Sequence, residues 1–399
     1  MSTSASRFTK VEKVILDSIK ATGPMQLATY MRLCLTHPTH GYYTNPLNPV
    51  FGSRGDFITS PEISQVFGEL VGIWLLSRWA SAGRPPVLRL IELGPGRGTL
   101  LDDVLRVMSQ LTSQGSPLKH LHLIESSRAM RTLQERKLQS NVEKLGCEIS
   151  WHDTLEELQP SPGVFTMLIA HEFFDALPIH VLQKKETGWH EVMIGSEDVV
   201  RHSDSDTQSA ARLRRVLSPT PSAASTLLAS SSPRFKNLPL GSTIEVSPLS
   251  FKIARKIGAI LASHGDSASS GGCALVIDYG GDKVYGDSFR AFKDHRIVDV
   301  FHRPGECDLT ANVDFAYIKE AISDLAVVHG PLSQADFLER MGLSVRAGAL
   351  ARSAGTEGRR AAIRLSAKRL VDRTGMGVQY QVMGITSGGE EEVWPFVKE

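Results

Sequence analysis

Apolar residues recur along this chain in two rhythms, and the change from one to the other marks its organisation. Near the start the spacing is helical. Val11, Val14, Ile15 and Ile19 form one stripe, Gly23-Pro24 interrupts it, and Leu27, Tyr30, Met31 and Leu35 resume it until His37-Pro38. Two helices are therefore expected over 11–36. A further stripe, Ile63, Phe67, Leu70, Val71 and Trp74, predicts another helix, with Ser60 as N-cap and Pro61 at the first helical position. From Val87 onward, short apolar runs alternate with helical stripes. Val87–Leu93, Leu121–Glu125, Glu148–Asp153 and Val164–Ala170 read as strands, and the stripe Leu101, Val104, Leu105, Met108 and Leu111 as a helix between the first two. Strand–helix alternation of this kind predicts an α/β fold with a doubly wound parallel sheet. Residues 179–184 and 189–194 read as a hairpin around Thr187-Gly188, and Ala274–Gly280 and 378–385 as later strands. Residues 203–239 are rich in Ser, Pro, Ala and Thr and read as an inserted, mobile excursion. The expected organisation is a helical and loop segment, 1–84, covering the active site of an α/β domain, 85–399.

The first of these strands leads into Gly94-Pro95-Gly96-Arg97-Gly98. Glycine lacks a Cβ, so such a turn can adopt positive φ and let a ligand lie against the backbone. A dinucleotide fingerprint would read G-x-G-x-x-G, and a phosphate loop would end in Gly-Lys. The present pattern is G-x-G-x-G, with Glu92 two residues before it and no lysine after it. It resembles motif I of the class I S-adenosylmethionine-dependent methyltransferases. The resemblance implies a Rossmann-like sheet and S-adenosylmethionine as methyl donor, with the strand-end acid serving the cationic methionine part. The competing reading is a glycine-rich turn with no chemical role.

Four consecutive strand ends carry acids: Glu92, Glu125, Asp153 and Glu172. In an open α/β sheet, ligands bind outside the carboxyl ends of the strands. Glu125 follows Gly98 at a distance suited to a ribose hydroxyl pair, and Asp153 falls where a methyltransferase would place the adenine amino group. The fourth end runs His171-Glu172-Phe173-Phe174-Asp175. If the methyl acceptor is a guanidinium, Glu172 and Asp175 are the carboxylates to orient its fork and hold its charge. Asp175 could equally be a helix N-cap, and His171 a polar group beside the cofactor. Before the glycine strand, the loop Gly55–Glu62 carries Asp56, Thr59 and Pro61. With Gly52 and Gly55 as hinges, it is expected to fold over the cofactor, Asp56 pointing inward.

Composition narrows the field. The 399 residues carry a formal net charge of +1, so no global field calls for nucleic acid or a membrane. Cys34, Cys147, Cys273 and Cys307 form no C-x-x-C and are expected to be buried thiols. The segment 340–373 holds nine Arg or Lys, either a solvated helix face or a docking patch. Arg7 and Lys10 precede the first acid, Glu12, which gives the terminus a faint transit-peptide character.

With these segments in place, the chain resembles the MidA-like family, the mitochondrial complex I assembly-factor group of protein arginine methyltransferases. The runs that carry the resemblance are His40–Tyr43, Gly55–Glu69, Ile91–Gly98, His171–Pro178, Ile277–Gly280 and Asp308–Phe315. One departure is His171, where the family often has Asn. The usual long N-terminal presequence is not evident. The resemblance implies a mitochondrial matrix enzyme of type II, dimethylating an arginine symmetrically on the 49-kDa-type subunit of respiratory complex I. Other readings of the same residues are a methyltransferase for another protein or a small molecule, and a non-catalytic assembly chaperone that keeps the fold. A nicotinamide dehydrogenase is disfavoured by the glycine spacing.

Overall fold

The computed structural model describes residues 8–45, 48, 58–111, 115–203, 206–262, 271–388 and 392–397. Seven strands run through the central sheet: β1 (Leu88–Leu93), β2 (Leu118–Ile124), β3 (Glu148–His152), β4 (Phe165–His171), β5 (Gly272–Gly281), β6 (Val327–Ser333) and β7 (Tyr380–Thr386). Their order is 3-2-1-4-5-7-6, and Val313–Asp314 adds a short parallel pairing to the end of β5. The chain order reverses between β1 and β4. That is the switch point at which an open parallel sheet forms its crevice. β7 runs antiparallel to both its neighbours.

Strand residues alternate between two faces, and each face has its own core. Leu88, Leu90, Met167, Ile169, Leu275 and Ile277 pack under the helices Gln65–Ser81, Thr99–Leu111 and Arg128–Leu145. Ile91, Leu93, Leu168, Ala170, Ala274 and Val276 pack under Pro248–Leu261 and Phe315–Ile322. Both faces are covered, which is why these strands read as nearly continuous apolar runs.

A second, antiparallel sheet carries Met25–Gln26, Gly188–Ser203, His180–Lys185 and Thr243–Val246 in that order, with Asp206–Leu217 also paired to Gly188–Ser203. The helices Lys10–Thr22 and Leu27–Thr36 pack on it through Val11, Ile15, Tyr30 and Met31 against Val181, Ile194 and Leu213. A three-stranded sheet of Arg290–Lys293, Arg296–Val298 and Asp308–Thr310 adjoins the same core.

Two expectations need correction. The stretch 203–239 is not an irregular excursion. Asp206–Leu217 is the return strand of a long hairpin, and Ala223–Ala229 and Pro233–Lys236 are helical. Ser60 does not cap its helix. Thr59 holds that position, the helix ends at Ile63, and Ser64 caps the next through Val66 N–H. The helix Gln65–Ser81 packs on the same core as β1. The four cysteines are buried and unbridged.

Candidate functional site

A cavity of about 750 Å³ opens at the carboxyl ends of β1–β4. The glycine turn forms one wall. Gly94 N–H donates to Ile124 O and Gly98 N–H to Pro95 O, which folds the chain tightly between β1 and the helix Thr99–Leu111. Gly94 and Gly96 have φ of 62° and 52°, a region that favours glycine. At Gly94 a Cβ would also lie 3.1 Å from the Phe173 ring.

All four strand-end acids line the cavity, because sheet order places their strands side by side. Their environments differ sharply. Glu92 is 2% exposed, its Oε2 has no hydrogen-bond partner, and burial pushes its carboxyl up to about 8. Glu125 is held locally. Its Oε1 accepts from Ser127 N–H at 2.7 Å and its Oε2 from Gln134 Nε2 at 3.2 Å. Gln134 Nε2 also donates to Gly96 O, linking this acid to the glycine turn. A carboxylate offers about four acceptor positions, so Glu125 keeps capacity for a ligand. Asp153 is largely exposed and pairs with Arg131 at 2.5 Å.

Glu172 sits where β4 ends, with φ of 49°, a left-handed conformation uncommon outside glycine. Its N–H donates to Ile277 O, which fixes the turn against β5. Its Oε1 accepts a 2.5 Å hydrogen bond from Tyr380 Oη. Burial raises its carboxyl to about 8, and the charges of Asp175, Asp308 and Glu62 push in the same direction. Asp175 is also buried and raised well above the usual carboxylate range, first by burial and then by Asp278 and Asp308. No helix follows it, so it is not an N-cap. His171 lies 3.6 Å from Glu172. That approach is not an ion pair, since burial drives the imidazole down to about 3 and leaves it neutral. Its ring packs edge-on to Phe67 and parallel to Tyr380, and its Nε2 is buried without a partner.

Thr59, Pro61, Pro95 and Arg97 complete the expected lining, whereas Gly98 turns away toward Leu138. Asp56 and the proposed hinges Gly52 and Gly55 lie outside the described residues.

Several residues here were not singled out for a role from sequence. Asp308 and Tyr43 line the cavity, with Tyr43 Oη donating to Asp308 Oδ1 at 2.7 Å. Asp278 lies behind it. Its Oδ2 accepts from the N–H groups of Phe173, Phe174 and Asp175 at 3.2, 2.9 and 3.3 Å. One buried carboxyl thereby shapes the whole turn that presents Glu172 and Asp175. Asp278 and Asp308 fall within runs that carried the family resemblance, and that was the available signal. Tyr380 had none.

Known proteins resemble this chain. A family model described as "Putative S-adenosyl-L-methionine-dependent methyltransferase" matches residues 70–332. The protein arginine methyltransferase NDUFAF7, mitochondrial, of Danio rerio is 38% identical over 389 residues, 94% of this chain and 86% of that protein. The mitochondrial NDUFAF7 homolog of Drosophila melanogaster is 38% identical over 396 residues, 94% of this chain and 84% of its own. A crystal structure from Burkholderia thailandensis, solved with S-adenosyl-homocysteine bound, superposes with a TM-score of 0.75 at 22% identity, over 96% of this chain and 93% of that one. The glycine turn, the acids at adjacent strand ends and these matches make the chain a member of the S-adenosyl-L-methionine-dependent methyltransferase family to which the NDUFAF7 proteins belong.

Proposed function

We propose that this protein is a mitochondrial protein arginine methyltransferase, the activity and location that its relatives' names carry. We further assign it symmetric, type II dimethylation of a 49-kDa-type subunit during respiratory complex I assembly. The observation that carries the arginine reading is the grouping of Glu172, Asp175 and Asp308 on the wall of the cavity that also holds the glycine turn.

The residues fit the donor. Glu92 offers a buried carboxyl oxygen without a partner on the cavity wall, which suits the cationic methionine end. Glu125 and Asp153 offer acceptors for its sugar and base, and the glycine turn offers close backbone. S-adenosylmethionine supplies an activated methyl group on its sulfonium. The remaining work is done by the chain. A guanidinium keeps its charge at any physiological pH, its pKa lying above ~12. Glu172 and Asp175 are raised by burial and by neighbouring carboxyls, Asp175 acting on Glu172 and Asp278 and Asp308 on Asp175, so an arriving cation favours their ionised forms and releases protons to solvent. The paired carboxylates then orient the guanidinium for in-line displacement. Glu172, raised to about 8, is suited to accept the proton that the attacking nitrogen loses. His171, being neutral, packs against Tyr380 and shapes the wall.

The test uses the purified chain, labelled donor and an arginine-containing protein substrate. Glu172→Gln and Asp175→Asn should each cut methyl transfer by roughly 100-fold, the usual scale for losing a group that stabilises transition-state charge. Donor affinity by calorimetry should stay within a few-fold of wild type. Unchanged turnover in both variants would rule out the carboxylate clamp. Mass spectrometry of the product would overturn the type II assignment if it found only monomethyl or asymmetric dimethyl arginine.

A further inference from the structure

The helices Leu343–Ser353 and Glu357–Leu370 form an antiparallel hairpin joined through residues 354–356. Its inner side is apolar: Leu343, Ala347, Ala351, Ala367 and Leu370 are buried. Its outer side combines two features. The first is cationic charge. Arg352, Arg359, Lys368 and Arg369 are exposed and make no ion pair with a described residue, while Arg360 and Arg364 share the single carboxylate of Glu357. The second is bare aliphatic surface. Val345 is 77% exposed and Leu365 is 70% exposed. Val345 lies eight residues before the end of its helix and Leu365 eight after the start of the next, so both stand about 12 Å from the turn, at one height of the hairpin. On the second helix, Arg364, Lys368 and Arg369 lie within one turn of Leu365 and flank it.

We propose that this hairpin is a docking surface for an anionic lipid bilayer. Long cationic stems with their charges at the phosphate level, around an aliphatic side chain that enters the acyl boundary, are the arrangement of an interfacial helix. An acidic protein surface would match the charges but would give the two protruding aliphatic residues no use. The contact is peripheral, since no described helix is long and apolar enough to cross a membrane. The charge is local, which reconciles it with a net charge of only +1. The hairpin is also tied to the site. Gln334 accepts from Ser60 Oγ and donates to Leu370 O, joining the last turn of the basic helix to the short helix whose Pro61 lines the cavity. Docking would therefore hold the cavity near the bilayer surface.

The experiment is co-sedimentation of the full chain with phosphatidylcholine vesicles, with and without phosphatidylglycerol. Wild type should bind the mixed vesicles and not the neutral ones, and added salt should release it. The double variant Lys368→Glu, Arg369→Glu should lose at least tenfold in vesicle affinity. Leu365→Ser, which leaves every charge in place, should lose severalfold. Both variants should keep wild-type melting temperatures and wild-type turnover on a soluble arginine peptide, since none of these side chains lines the cavity. The proposal is overturned if wild type ignores the mixed vesicles, if the two variants bind them equally well, or if wild type binds soluble polyglutamate but no vesicle.

Discussion

Tyr380 Oη donates to Glu172 Oε1 across 2.5 Å, the two residues standing 208 positions apart in the chain. The bond favours the ionised carboxylate, against a burial that pushes it toward the neutral acid. Tyr380→Phe should therefore raise the Glu172 pKa further. Hydrogen bonds to charged groups contribute about 1.5–3 kcal/mol, so kcat/KM at neutral pH should fall roughly 10- to 100-fold. The discriminating readout is the pH profile, whose acidic limb should move upward. A tyrosine that merely packed would lower activity without moving that limb.

The glycine turn can be tested at Gly96. Its φ of 52° disfavours a β-branched residue, and its place on the cavity wall would put such a side chain where the donor is proposed to lie. Gly96→Val should abolish S-adenosylmethionine binding by calorimetry while the far-ultraviolet spectrum of the fold persists. A folded variant with near-normal affinity would move the donor site elsewhere.

Glu125 has two attachments, and its variant should show two effects. Glu125→Ala removes the acceptor for Ser127 N–H, the N-cap residue of the following helix, so the melting temperature should drop. It also removes the proposed acceptor for the donor's ribose, which should weaken binding by roughly 1–3 kcal/mol. A lower melting temperature with unchanged affinity would confine Glu125 to a structural role.

Stability should depend on pH in a direction set by the buried acids. Glu92 and Asp278 are both raised to about 8, chiefly by burial, from ordinary values of 4.5 and 3.8. A raised acid favours the folded state in its neutral form. That contribution is complete below the unfolded pKa and is lost as pH rises through the folded one. Between about pH 6.5, above which the buried neutral His171 and His122 no longer oppose the trend, and about pH 8, the ligand-free protein should accordingly melt at lower temperature as pH rises. Glu92→Gln, which cannot ionise, should flatten that slope. A wild-type melting temperature that rises over the same interval would contradict the burial of these groups.

Much of the central sheet was legible in the sequence because its inner strands β1, β4 and β5 are short, mostly apolar runs buried on both faces. The acids at those ends could be listed in order for the same reason. What sequence could not supply is pairing between distant strands. Tyr380 reaches Glu172 only because β7 aligns Tyr380 with Tyr279 on β5. Asp278 shapes the 173–175 turn only because β5 lies beside β4. The strand Asp206–Leu217 escaped notice because backbone pairing to Gly188–Ser203 defines it, and an apolar alternation does not announce it. Ser60 looked like a cap because serine favours that position, but a buried hydrogen bond to Gln334 claims its hydroxyl instead.

The separation of Tyr380 from Glu172 bears on what a fragment of the chain could do. The glycine turn, the strand-end acids and the carboxylate turn all precede residue 180, whereas Tyr380 lies on the antiparallel strand Tyr380–Thr386. A fragment that stops before that strand would carry every one of those acids and still lack the hydroxyl that meets Glu172.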